Sequence, residues 1–215
     1  DFEALLIMRE RTPITKNLIE NLNDLKFIIT SGLRNKSIDL EAAKKRKVIV
    51  CGTDINLNPT PELTWALILG LARNFKEEFD NMYQGYWQTT IGVELKGKIL
   101  GLIGVGNIGS IVADRALGLK LKVKAYDPFL TDERVQRLGI ERVKTLEELV
   151  MESDIISLHI PKTDKTTNII NAYLIKKMKS TAILVNCARG GLVDEKALAN
   201  ALKEKSISAA AFDVF

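Results

Sequence analysis

The sequence predicts an α/β protein: a doubly wound parallel sheet preceded by part of a smaller α/β unit. Three observations carry that reading. The apolar run at 99–103 ends in Gly104-Val105-Gly106-Asn107-Ile108-Gly109 and opens into a 3.6-residue pattern of Ile108, Ile111, Val112, Ala116 and Leu119. Strand and helix patterns then alternate to the last residues, which predicts right-handed β-α crossovers and parallel strands. The residues before position 52 give a shorter β-α-β-α-β series of their own.

Taken in order, ALLIM at 4–8 reads as a buried strand that stops at Arg9-Glu10-Arg11-Thr12-Pro13. Thr15 has the chemistry of an N-cap for a short helix to Leu22, and Phe27-Ile28-Ile29-Thr30 is a second strand ending at Ser31-Gly32. A helix over 39–45 leads to a third strand at 48–51. Asn56 to Pro61, with two prolines, reads as a linker, and divides the chain into 1–57 and 58–215. The apolar spacing of Leu63, Leu67, Leu71, Phe75 and Phe79 predicts one long helix over 62–83, with Trp65 and Trp87 as packing residues. Placed there, it could also serve as an oligomer arm.

Beyond the glycine turn, strands are expected at 123–127, 154–158, 182–186 and 209–214, with helices at 131–138, 146–151, 172–177 and 194–203. In a doubly wound sheet, ligands bind beyond the carboxyl ends of the strands. Asp127, His159, Arg189 and Asp213 all fall at such ends, so one crevice should collect them. Each glycine of the turn has a separate task in dinucleotide binding. Gly104 permits the tight strand-to-helix turn, Gly106 lets the backbone approach a pyrophosphate, and Gly109 lets the helix pack on the strand. The helix N-terminus then presents amides and a favourable dipole to the phosphates. Asp127, 23 positions after Gly104, is placed to accept hydrogen bonds from the ribose hydroxyls.

The other candidates are more open. Arg189, followed by two glycines, suits bidentate binding of a small carboxylate or polarisation of a keto oxygen; helix capping or an ion pair with Asp194 would be the structural alternatives. His159 is the only histidine, yet beside Pro161 at a strand end it reads more readily as a cofactor or backbone contact than as an acid/base. Arg9 is either a surface arginine or an anion contact, and Ser31-Gly32 either a pair of carboxylate-binding amides or a turn.

Bulk properties narrow the classes. A formal charge of +4, carried by short lysine runs without a nucleic-acid motif, argues against a nucleic-acid partner. Two isolated cysteines, Cys51 and Cys187, form no metal motif or disulfide framework. No apolar run is long enough for a bilayer and no signal peptide is evident, so the expectation is a cytoplasmic protein with neither membrane nor metal. Asp1 at the start and a strand at the very end suggest a piece of a longer protein.

Together these motifs resemble the D-isomer-specific 2-hydroxyacid dehydrogenases, the phosphoglycerate dehydrogenase-like members most of all. The likeness runs through Arg9-Glu10-Arg11-Thr12, Pro61-Glu62-Leu63-Thr64, Gly97-Lys98, and Tyr126-Asp127-Pro128. Its most specific parts are Leu158-His159-Ile160-Pro161 with Thr163, Thr166 and Asn168, the run from Val185 through Arg189-Gly190-Gly191 to Glu195, and Ala211-Phe212-Asp213-Val214-Phe215. The resemblance implies hydride transfer between NAD and a small 2-hydroxy or 2-keto acid. It also implies a flavodoxin-like substrate domain, here partial, and a Rossmann cofactor domain through which the protein forms a homodimer. By position, Arg189 matches the catalytic arginine; Gly106, Asn107 and Ile108 the pyrophosphate loop; and Asp127 the ribose acid. His159, Pro161, Thr166, Cys187 and Ala188 match cofactor contacts, Asp213 the nicotinamide carboxamide contact, and Arg9 with Ser31 and Gly32 the substrate side of the cleft.

The family's glutamate–histidine acid/base pair falls beyond Phe215, so these 215 residues alone are expected to lack appreciable turnover. The segment 33–39 replaces the family's glycine-rich substrate loop, and its Arg34 and Lys36 would suit a dianionic or phosphorylated acid if they are not simply solvated. Two other functions stay in view: a nucleotide-sensing co-repressor of the same family, and a homocysteine-releasing hydrolase of similar fold.

Overall fold

The computed structural model describes every residue except Asp1, Arg9 and Arg34. The chain divides into two compact units, Asp1–Asn56 and Leu57–Phe215.

The first unit holds β1 (Ala4–Ile7), α1 (Lys16–Asn21), β2 (Phe27–Thr30), α2 (Leu40–Lys45) and β3 (Ile49–Gly52). The strands pair in parallel in the order β1-β2-β3. Thr15 caps α1 by accepting from the Leu18 amide, and Asp39 caps α2 by accepting from the Ala42 amide. Ile19, Ile28, Ala42, Ala43 and Val48 are buried between these helices and one face of the sheet.

The second unit opens with α3 (Pro59–Ala72) and α4 (Phe75–Tyr83). Here the expected single long helix is two. Asn74 adopts the left-handed conformation (φ 53°), which asparagine tolerates better than most residues, and the chain restarts from it. The four-residue apolar spacing runs straight across this break, so the pattern concealed it. Nor does that spacing mark the buried face: α3 buries Pro61, Thr64, Trp65, Ile68 and Ala72, while Phe75 and Phe79 are exposed and Trp87 is 71% exposed. The prolines read as a linker instead belong to the first turn of α3, where a missing amide hydrogen costs nothing.

The remaining elements are β4 (Ile99–Ile103), α5 (Asn107–Gly118), β5 (Lys122–Tyr126), α6 (Asp132–Leu138), β6 (Glu141–Arg142), α7 (Leu146–Glu152), β7 (Ile155–Leu158), α8 (Ala172–Lys177), β8 (Ile183–Asn186), α9 (Glu195–Lys203) and β9 (Ala209–Phe212). All six strands are parallel, in the order β6-β5-β4-β7-β8-β9. Chain order reverses between β4 and β7, which is where such a sheet opens its ligand crevice. One core lies under α3 and α5 (Trp65, Ile68, Val112, Ala113, Ala116); the other lies under α7, α8 and α9 (Leu149, Ile175, Leu198, Ala201). Helices therefore cover both faces, as a doubly wound sheet requires, and β7 and β8 are buried along their whole length.

Strand β6 was not foreseen. It consists of two charged residues with no apolar signal, pinned at the sheet edge where Lys124 Nζ donates to Glu141 Oε1 at 2.8 Å. No helix among the described residues is long and apolar enough to cross a membrane.

Candidate functional site

The carboxyl ends of β4, β5, β7, β8 and β9 form one continuous edge of contacts. At β4, Gly104 has φ +91°, and a side chain there would lie 2.5 Å from Ile160 Cγ2 and 2.8 Å from the His159 carbonyl oxygen. A side chain on Gly109, in α5, would run into the Gly104 carbonyl. Both positions are therefore glycine for reasons internal to the protein. Gly106 differs. Its φ is an ordinary −74°, and among the described residues other than its chain neighbours nothing lies within 4 Å of where its Cβ would stand. Neither backbone conformation nor packing demands glycine at this position, and the bare space beside the N-terminus of the twelve-residue α5 fits a ligand phosphate.

Asp127, just past β5, is tied to that loop. Its Oδ2 accepts from the Val105 amide at 2.8 Å and its Oδ1 from the Phe129 amide at 2.9 Å. A carboxylate offers about four lone-pair sites, so room for two ribose hydroxyls remains. A cation that no sequence motif marks lies nearby in the chain: Arg134, on α6, donates from Nη2 to Ser110 Oγ of α5 at 2.9 Å, and its Nε is buried without a partner among the described residues.

His159 follows β7, and its amide donates to the Ile103 carbonyl at 2.8 Å, which ties it to the end of β4. Its Nε2 is 2.9 Å from Ser157 Oγ, while Nδ1 is buried with no partner among the described residues. Burial pushes the imidazole pKa from 6.5 down to about 4. The ring is consequently neutral at physiological pH and a weak base. An orphaned buried nitrogen beside a glycine loop fits a bound polar group. Thr166 Oγ1 donates to the Pro161 carbonyl at 2.8 Å, closing the following loop, and the Asn168 amide reaches the Gly191 carbonyl at 2.9 Å.

That bond joins the β7 loop to the turn after β8, which carries Cys187, Ala188 and Arg189. Cys187 is buried, its thiol in hydrogen-bond contact with Thr64 of α3; burial raises its pKa and the nearby Asp213 charge adds to the rise. It is a packed thiol, not a poised nucleophile. Arg189 is exposed, and its Nη1 donates to the Ala188 carbonyl at 2.6 Å. Among the described residues it neither pairs with Asp194 nor caps a helix: Asp194 caps α9 instead by accepting from the Ala197 amide at 3.0 Å. The Asp213 amide donates to the Asn186 carbonyl at 3.1 Å, completing the edge at β9.

The structure therefore gathers Gly104, Gly106, Asn107, Ile108, Gly109, Asp127, His159, Pro161, Thr166, Cys187, Ala188, Arg189 and Asp213 along one edge of one sheet. Ser31 and Gly32 lie in the other unit, just past β2; the Gly32 amide donates to Thr53 Oγ1 at 3.2 Å. Arg9 and Arg34 lie outside the described residues. Among the described residues, no group of three or more His, Cys, Asp or Glu side chains is disposed to hold a metal ion. Thr64 and Asn186, both fully buried, had no role assigned from sequence; a polar residue inside an apolar run was the available signal.

Residues 65–215 match the family described as D-isomer specific 2-hydroxyacid dehydrogenase, NAD binding domain. The D-3-phosphoglycerate dehydrogenase of Methanocaldococcus jannaschii is 42% identical over 98% of this chain and 41% of its own length. The hydroxypyruvate reductase of Thermotoga maritima is 41% identical over 98% of this chain and 69% of its own. Among solved structures, a phosphoglycerate oxidoreductase from Vibrio cholerae superposes with a TM-score of 0.87 at 30% identity, over 100% of this chain and 69% of that one. The chain thus spans well under half the length of several curated relatives that it matches, 41% in the first case.

Proposed function

This chain belongs to the D-isomer specific 2-hydroxyacid dehydrogenases and carries their NAD-binding domain, and from that premise we propose that the protein transfers a hydride between NAD(H) and a small D-2-hydroxy acid or its 2-keto acid. A 3-phosphoglycerate-like acid is the substrate to test first, in keeping with the names of the relatives above. NAD, when bound, supplies or receives the hydride; the residues described here bind and orient.

The observation that carries the reading is Arg189. Its guanidinium is exposed at the carboxyl end of β8, on the same edge as the bare Gly106 turn, and among the described residues no carboxylate engages it. A planar guanidinium in that state can bind a substrate carboxylate through two hydrogen bonds and polarise the adjacent keto oxygen. Gly106, Asn107 and Ile108 would receive the pyrophosphate, Asp127 the ribose, and His159, Pro161, Thr166, Cys187, Ala188 and Asp213 would line the rest of the cofactor. With a pKa of about 4, His159 is poorly matched to general-base work at neutral pH, so the proton must go to another group. Residues 1–57 are proposed as part of the substrate-binding domain, with Arg9, Ser31 and Gly32 facing substrate.

We also propose a cytoplasmic homodimer formed through the NAD-binding unit. The exposed apolar side chains of Phe79, Tyr83, Trp87 and Ile91 support that assembly, and sedimentation velocity tests it. The co-repressor alternative draws no support from the relatives above, which are dehydrogenases and a reductase by name.

Arg189→Lys in the complete gene product tests the central reading. Lysine keeps the charge and loses the fork, so a loss of about 1.5–3 kcal/mol, roughly tenfold to a hundredfold in kcat/KM for a 2-keto acid, is expected. NADH affinity should hardly move. Unchanged kinetics would make the arginine structural.

A further inference from the structure

Asn186 is the last residue of β8 and is completely buried. A buried primary amide is costly unless its donors and acceptor are met. Here the acceptor and one donor are met within the next three residues. Nδ2 donates to the Arg189 carbonyl at 2.8 Å, and Oδ1 accepts from the Ala188 amide at 3.0 Å. Its own carbonyl accepts from the Asp213 amide at 3.1 Å. One side chain therefore defines the path of the chain from the end of a buried interior strand to the residue that bears the exposed guanidinium, while its backbone locks that strand end to β9.

Among the described residues the guanidinium is held by a bond to the carbonyl of its own neighbour, Ala188, which travels with the same turn. Gly190 and Gly191 follow at once, and Gly191 sits at φ +71°, so the chain beyond Arg189 is not stiffened by side chains. An apolar residue of similar size at 186 would fill the space but leave the Ala188 amide and the Arg189 carbonyl without these partners. We propose that Asn186 is a positioning residue: it holds the backbone of Arg189 in the register that aims the guanidinium at substrate. The proposal rests on the reading of Arg189 as the substrate-binding arginine.

A double-mutant cycle in the complete gene product tests both statements apart. The proteins are wild type, Asn186→Ala, Arg189→Ala and the double variant. The readouts are kcat/KM and KM for hydroxypyruvate, NADH affinity by fluorescence titration, and the thermal midpoint. Asn186→Ala should lower kcat/KM by about tenfold to a hundredfold, as expected when a reacting group is misplaced by about 1 Å. NADH affinity should stay within about threefold, and in the Arg189→Ala background the same change should cost less than about twofold, because contacting residues are not additive. Asn186→Ser, whose hydroxyl can still accept from the Ala188 amide, should fall between wild type and Asn186→Ala, and it carries the cycle if Asn186→Ala does not fold. Equal losses from the Asn186 change in both backgrounds, or no loss in the wild-type background, overturn the positioning role while Arg189 keeps its own. An Arg189→Ala protein as active as wild type overturns the reading of Arg189 and this proposal with it.

Discussion

The single histidine makes a quantitative prediction about acid stability. Burial lowers the pKa of His159 from 6.5 to about 4, so the unfolded chain binds a proton over a pH range in which the folded chain does not. The stabilisation from keeping the ring neutral is complete above pH 6.5, falls as the pH drops below that value, and stops changing below pH 4. At pH 5 the unfolded ring is almost fully protonated and the folded ring barely so, which removes about 2 kcal/mol; the whole window is worth about 3 kcal/mol. The assay is urea unfolding of wild type and His159→Gln at pH 7.5 and pH 5.0, followed by tryptophan fluorescence. Trp65 and Trp87 both lie in the second unit, so the signal follows the unit that holds the histidine. Carboxylates titrate in the same window, but they do so in both proteins. Wild type should lose about 2 kcal/mol more than the variant between the two pH values. Equal losses, or a ring that titrates near 6.5 by proton NMR, would refute the burial argument.

Further outcomes follow from the glycine turn and its acid. Gly106→Ala should leave stability within about 1 kcal/mol, since no atom meets the new methyl, yet weaken NAD binding at least about tenfold; Gly109→Ala, driven into the Gly104 carbonyl, should instead cost about 1–3 kcal/mol of stability by chemical denaturation. NAD should bind more tightly than NADP, because a 2′-phosphate about 4 Å from Asp127 costs up to about 4 kcal/mol at an effective dielectric near 20. Asp127→Ala should weaken NAD and narrow that gap in titrations, and equal affinities in wild type would remove Asp127 from the ribose.

Much of this architecture is legible in the sequence because its signals are local. The Gly104–Gly109 spacing, the N-cap Thr15, and the apolar runs of β7 and β8 each depend on neighbours in the chain. Failures came where the deciding partner is distant or unspecific. The break at Asn74 depends on a single left-handed residue that leaves the apolar spacing intact. Two charged residues form β6 by pairing their backbone with β5, a distant strand, at Lys124 and Ala125. Prolines announced a linker, although they also open helices, and α3 is the case in point. In the site, strand-end positions were readable from sheet topology. The bonding of Asn186 and the solitary Nδ1 of His159 were not, since hydrogen-bond satisfaction is a property of three-dimensional neighbours.

The two cysteines fall one to each unit, Cys51 exposed in the first and Cys187 buried in the second. A maleimide or other thiol reagent therefore modifies one sulfur at once and reaches the other only when the second unit opens. Counting labels per chain against time by mass spectrometry separates the opening of that unit from the steady accessibility of the first. Added NAD, if it binds along the strand edge that includes Cys187, should slow the second label and leave the first unchanged. The distribution of the sulfurs gives the protein an internal clock for local unfolding, readable without any engineered probe.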